Sequence, residues 1–210
     1  METSKERNLP NSLAKIGSIV FHPIFTPLYG LLIIFTAPTF LGYLPFTVKR
    51  AIFLTVFANE VFLPLALLPF FLNRNIISSY NIEKKHERAI PLFTTAIFYS
   101  VTTYIIYRFQ LPIFLKTFML ASNIILIAVT MINFWWKISI HGVGAGALTG
   151  TVVLLALKLY APVAGYLIGT ILISGIVLTS RLRLNNHNPV QVWGGYLTGL
   201  LGMILVVWML

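Results

Sequence analysis

Nearly all the side chains able to do chemistry in this chain fall in three short polar stretches. The last reads Ser180-Arg181-Leu182-Arg183-Leu184-Asn185-Asn186-His187-Asn188-Pro189-Val190-Gln191. Asn188 is a good N-cap, Pro189 suits the first helical position and Gln191 stands where a capping box takes Gln or Glu, so a helix starts just after His187. That puts an imidazole at the positive end of a helix dipole, beside Arg181, where an anion is favoured. The middle stretch, Lys137-Ile138-Ser139-Ile140-His141-Gly142, precedes a helix in the same way, with Ser139 as its cap. The first, Glu83-Lys84-Lys85-His86-Glu87-Arg88-Ala89-Ile90-Pro91, is the densest charge cluster in the chain. Together they offer two histidines at helix starts and several cations.

The elements that must position these groups follow from composition. The chain has 210 residues, 58% of them hydrophobic and 10% charged, and its mean hydropathy of +0.87 points to a membrane protein rather than a soluble domain. Its five carboxylates are Glu2, Glu6, Glu60, Glu83 and Glu87. With no Asp and no Cys, Asp-dependent sites, disulfides and thiolate centres are excluded. A net charge of +10 on a soluble protein would suggest nucleic acid. Here the basic residues lie between apolar runs, so phosphate head groups, membrane lipids and anionic substrates are the expected partners and nucleic acid is not.

Seven apolar runs near 17–41, 51–72, 90–107, 112–134, 141–159, 161–179 and 189–209 are each close to the length that crosses a bilayer. They lack the alternation of barrel strands, and in lipid the backbone must satisfy its own hydrogen bonds. The expected fold is therefore an all-α polytopic bundle of about six to seven transmembrane helices, preceded by a polar segment at 1–16. The first run holds Pro23, Pro27 and Pro38 and has no small-residue cleavage site, so it is expected to be retained. The three polar stretches follow the second, fourth and sixth runs, and parity returns them to one side of the membrane. Glycines at four-residue spacing (Gly142, Gly146 and Gly150; Gly165 and Gly169; Gly195 and Gly199) predict close helix packing. Trp135, Trp136, Trp193 and Tyr196 fall near run ends, where aromatic rings favour the interface.

The sequence Ser180-Arg181, five residues, His187, then a helix running Pro-x-x-Val-x-Gly-Gly, resembles the third signature of the type 2 phosphatidic acid phosphatase family, S-R-x5-H-x3-D. Gln191 stands where that signature has Asp. Ile138-Ser139-Ile140-His141 resembles the second signature, P-S-G-H, through its Ser and His. The first, K-x6-R-P, is matched only by Lys84 or Lys85, Arg88 and Pro91 in that order. The resemblance covers about residues 80–210 and leaves 17–79 as N-terminal helices without assignment. It implies a lipid phosphatase in which His187 attacks phosphorus to form a phosphohistidine and His141 is the acid to the leaving oxygen. Arg181, Arg88 and Lys84 or Lys85 would neutralise the phosphate, while Ser139 and backbone N–H groups at the next helix start, Gly142 included, would donate to it. No metal or cofactor is implied. The implied substrates are lipid-linked phosphates or pyrophosphates such as phosphatidic acid, phosphatidylglycerol phosphate, a polyprenyl pyrophosphate or a lipid A phosphate.

A Gln oxygen fixes the tautomer of a neighbouring imidazole but does not stabilise its cation. In the serine protease triad the corresponding Asp to Asn change lowers turnover about 10⁴-fold, roughly 5 kcal/mol of barrier. Either Glu87 or Glu60 takes the missing role, or the chain binds or moves a lipid phosphate without efficient hydrolysis; Gln191 is also read simply as a capping residue. A structural subunit with no ligand is a third reading. Glu60, in the middle of the second run, is read as a protonated hydrogen-bonded acid, as a partner of a basic or His group, or as a proton relay. His22 is read as an interfacial histidine outside the site. Lys and Arg number ten on the side of the N-terminus against five on the other, which taken literally puts the site in the cytoplasm. The resemblance points instead to an external or periplasmic face, and the bacterial inner membrane is the expected location.

Overall fold

The computed structural model describes residues 12, 14–80, 82 and 86–210, and among these it is helical with no strand. Lys84 and Lys85 lie outside the described residues. Seven helices are long and apolar enough to cross a membrane: α1 (Ala14–Thr36), α2 (Phe46–Asn73), α3 (His86–Arg108), α4 (Ile113–Trp135), α5 (Ile140–Leu159), α6 (Ala164–Arg183) and α7 (Pro189–Met209). The chain is an integral membrane protein of the all-α class. Large apolar side chains such as Ile168 and Leu172 on α6 and Leu197, Leu201 and Leu205 on α7 face outward, as a bilayer solvent requires.

At the centre stands α5, which packs most extensively on α7 and also meets α6, α1 and α4. From Gly142 to Val152 every residue of α5 is buried, the mark of a helix enclosed on all sides. Its glycine stripe makes the α7 contact possible. A Cβ on Gly142 would stand 2.7 Å from the Val192 carbonyl oxygen, and one on Gly150 would stand 2.9 Å from that of Leu200. Gly146 lies against the α7 backbone, and Gly195 and Gly199 lie against that of α5 and the Ser139 turn before it. The two helices thus touch backbone to backbone, as small-residue faces in membranes do. Gly165 and Gly169 behave differently from the expectation drawn from their spacing. No atom lies within 4 Å of a Cβ placed on either, because that face of α6 meets no helix.

Among the irregular stretches of the described backbone, three hold polar residues of interest. Pro23 interrupts α1 just after His22, and a 3₁₀ turn, Pro23–Phe25, carries the chain into the lower part of the helix. A six-residue π-turn, Phe57–Phe62, in α2 holds Glu60 and packs on α3. Between α6 and α7, Asn185 adopts the left-handed conformation, φ 53°, that Asn tolerates. Because nothing in Leu178–Arg183 breaks a helix, α6 runs on through Ser180 and Arg181. Both were expected in the connecting segment and instead occupy the last turn of the helix, buried.

Candidate functional site

The start of α7 has the capping box that its sequence implies. Asn188 Oδ1 accepts from the Gln191 N–H at 2.9 Å, and Gln191 Oε1 accepts from the Asn188 N–H at 3.2 Å. The same Oε1 lies 3.2 Å from His187 Nδ1. Since the Asn188 amide can only donate, Oε1 is the acceptor in both bonds and Nδ1 carries the imidazole proton. The lone pair of His187 is therefore on Nε2. Gln191 is at once a helix cap and the group that sets the tautomer.

His187 is only 7% exposed. Burial, then the positive charges of Arg88 and Arg181 and, more weakly, Lys137, push its imidazole down from the usual 6.5 to about 4, against the opposing pull of its bond to Gln191. At neutral pH the ring is uncharged, and it lies in the field of cations from α3, α6 and the α4–α5 connection.

At the start of α5, Ser139 is fully enclosed. Its Oγ accepts from the Gly142 N–H at 3.3 Å, and its own N–H donates to the Gln191 main-chain carbonyl at 3.2 Å. The two histidine-bearing helix starts are thus joined directly. His141, on the first turn of α5, has Nε2 3.2 Å from the Ser18 carbonyl oxygen, so Nε2 carries the proton and Nδ1 the lone pair. Arg181, 9% exposed, donates from Nη1 to Ser18 Oγ at 3.1 Å. The His22 ring meets that of His141 edge-on, with centroids 5.3 Å apart. The charge of Arg181 acts on His22, His141 and His187 alike, and His141 and His187 lie within each other's electrostatic reach.

Arg88 reaches the site from the start of α3, with its Nε donating to the Ile82 carbonyl at 2.9 Å. Glu87 does not accompany it. Its Oε2 accepts from the Ser78 N–H at 2.9 Å and from the Ser78 hydroxyl at 3.0 Å, fastening the loop from which Arg88 projects. Glu60 is fully buried beside Tyr99 and Thr102 of α3, and the Thr102 hydroxyl donates to the Phe98 carbonyl rather than to it. Among the described residues no carboxylate bonds to His187, and Glu60 makes no ion pair.

Of the residues singled out in sequence, the structure gathers His187, Gln191, His141, Ser139, Arg181 and Arg88 at one end of the bundle. The Gly142 N–H is taken up by the Ser139 cap, and Gly142 serves the contact with α7. Lys137 joins the set through its field at His187. Ser18 and His22 join it from α1, where no partner was expected. The signal for them was a polar pair at four-residue spacing in an otherwise apolar run, which places both on one helix face. A neutral imidazole with an open lone pair, in the field of Arg88, Arg181 and Lys137, is suited to holding or attacking a phosphoryl group. Comparison with family models, with curated proteins and with solved structures returns no match for this chain.

Proposed function

We propose that this chain is an integral membrane phosphatase of the type 2 phosphatidic acid phosphatase class, acting on a lipid-linked phosphate or pyrophosphate. The observation that carries the reading is the tautomer of His187, with Nδ1–H held by Gln191 and the Nε2 lone pair among the charges of Arg88, Arg181 and Lys137. In the reaction, Nε2 attacks phosphorus and the bond to the leaving oxygen breaks. The open Nδ1 of neutral His141 takes the proton of the phosphate monoanion and passes it to that oxygen, since Nε2–H is engaged by Ser18. Water then attacks the phosphohistidine, its proton passing through His141 Nδ1 to the departing inorganic phosphate as the P–N bond breaks, and His187 returns to its neutral form. Phosphoryl transfer asks mainly for positioning and charge neutralisation, which the three cations supply.

One observation favours a second reading, a protein that binds or moves a lipid phosphate with little turnover. Gln191 Oε1 is neutral and already shared with the Asn188 N–H, so it gives the imidazolium formed during reaction little stabilisation. Phosphate release from a panel of lipid phosphates and pyrophosphates by the detergent-solubilised protein, with EDTA present, separates the two. The enzyme reading expects release that is abolished in His187→Ala and raised in Gln191→Asp. Silence from both wild type and Gln191→Asp would favour the binder.

A further inference from the structure

A cavity of about 180 Å³ lies between α1, α5 and α6, the three helices that bring Ser18, His22, His141 and Arg181 together. Helical register places it under that cluster. Ala145 and Leu148, in its wall, follow His141 by four and seven residues, and Ser174 precedes Arg181 by seven, so each continues the same helix face one or two turns deeper. Phe21, next to His22, lines its upper end, and Leu32, 46% exposed, lines it toward the bilayer.

The hydroxyls in its wall are already committed. Tyr29 donates to the Val20 carbonyl at 2.7 Å and Thr170 to that of Leu167 at 3.1 Å. The Ser174 hydroxyl lies 3.3 Å from Thr149 Oγ1 and donates toward the Ala145 carbonyl. A cavity with apolar walls and satisfied hydroxyls does not hold ordered water and suits hydrocarbon. Its volume is that of about six liquid-water molecules, enough for the first stretch of one chain and no more.

We infer that this cavity seats the head-proximal carbons of a single hydrocarbon chain whose phosphate lies at the Arg181–His141–His187 cluster, the chain entering sideways from the bilayer past Leu32. The ligand is then a membrane lipid phosphate rather than a free phosphate. The inference rests on the reading of the cluster as a phosphate site but not on hydrolysis there.

The test uses the full chain in lipid nanodiscs and a hexadecyl phosphate carrying a photoreactive diazirine near its fifth carbon, with hexadecanol carrying the same diazirine as control. Crosslinked residues are mapped by mass spectrometry. Label from the phosphate probe is expected at Leu32, Leu148 and Ile173 at least fivefold above that from the alcohol. Excess unlabelled hexadecyl phosphate should remove it, and equimolar inorganic phosphate should not. Ala145→Phe and Ser174→Leu, each checked for an intact melting transition, should reduce this label at least fivefold by filling the space. Equal labelling by both probes, label spread evenly around the bundle, or equal competition by inorganic phosphate would overturn the inference. Phosphate release is scored separately: label without release keeps the chain site and removes the enzyme, while release with label elsewhere does the reverse.

Discussion

The Ser139 N–H donates to the main-chain carbonyl of Gln191, 52 residues later in the chain, at a distance of 3.2 Å. Gln191 therefore acts twice: its backbone anchors the start of the helix bearing His141, and its side chain orients His187. A substitution at 191 changes the second role and leaves the first in place.

That separation makes Gln191→Glu informative. Glu keeps the length and capping geometry of Gln and adds a negative charge to the oxygen facing His187 Nδ1. The imidazole should then titrate above its present value of about 4, and turnover should rise, by at most about 10⁴-fold if the protease comparison holds. NMR titration of the His187 ring nitrogens reads the first effect, and phosphate release reads the second. Gln191→Ala should lower turnover and cost about 1 kcal/mol of stability through the lost cap.

The acid limb of kcat/KM should lie near pH 4, well below the usual histidine value, because the free enzyme needs His187 unprotonated. Arg88→Gln removes one of the charges that depress this titration and should move the limb upward. Stability follows the same sign. Between pH 6.5 and 4 the unfolded chain binds a proton at residue 187 that the folded chain does not, so stability falls as pH drops through that window, by at most about 3 kcal/mol, and then levels off. A limb at pH 6.5, unmoved in Arg88→Gln, would contradict this account of the site.

Ser18→Ala removes the hydroxyl that accepts from Arg181 and keeps the carbonyl that accepts from His141. A loss of about 1–3 kcal/mol is expected from the weakened hold on a buried guanidinium, together with weaker phosphate binding. Thermal unfolding in detergent and isothermal titration with a short-chain lipid phosphate measure the two. If neither changes, the Ser18 hydroxyl has no part in the site.

Glycine positions divide sharply. Gly146→Leu and Gly199→Leu push side chains into backbone across the α5–α7 contact and should abolish folded protein on size-exclusion chromatography. Gly165→Ala and Gly169→Ala meet nothing and should stabilise by about 0.5–1 kcal/mol each, through helix propensity.

This contrast also shows what was legible in the sequence. Helix number, the shared side of the polar stretches and the cap at Asn188 all rest on local signals, namely hydropathy length, parity and a four-residue motif, and the structure has each of them. Four-residue glycine spacing is equally local, but whether the face it creates meets another helix depends on tertiary placement, which is why Gly165 resembles Gly146 in sequence and not in surroundings. Ser18 and His22 escaped for a related reason. Ser18 touches Arg181 across 163 residues and His141 across 123, and the four-residue spacing of Ser18 and His22 marks a shared face without saying what that face meets. Glu87 was a reasonable carboxylate to seek at His187, yet it is turned to Ser78 by two bonds that only the folded loop creates. The π-turn around Glu60 has no sequence mark at all.

The contacts of Ser18 also set an order of events in biosynthesis. The first helix leaves the ribosome long before its partners, and the residue that completes the site on α6 is made only after some 160 further residues have been added. Translation at about 5–20 residues per second makes that a wait of about ten seconds or more, with His141, which meets both Ser18 and His22, made some 40 residues before Arg181. The first helix can therefore meet the fifth before the rest of the site exists. The site closes only when the sixth and seventh helices insert and bring their charges to it.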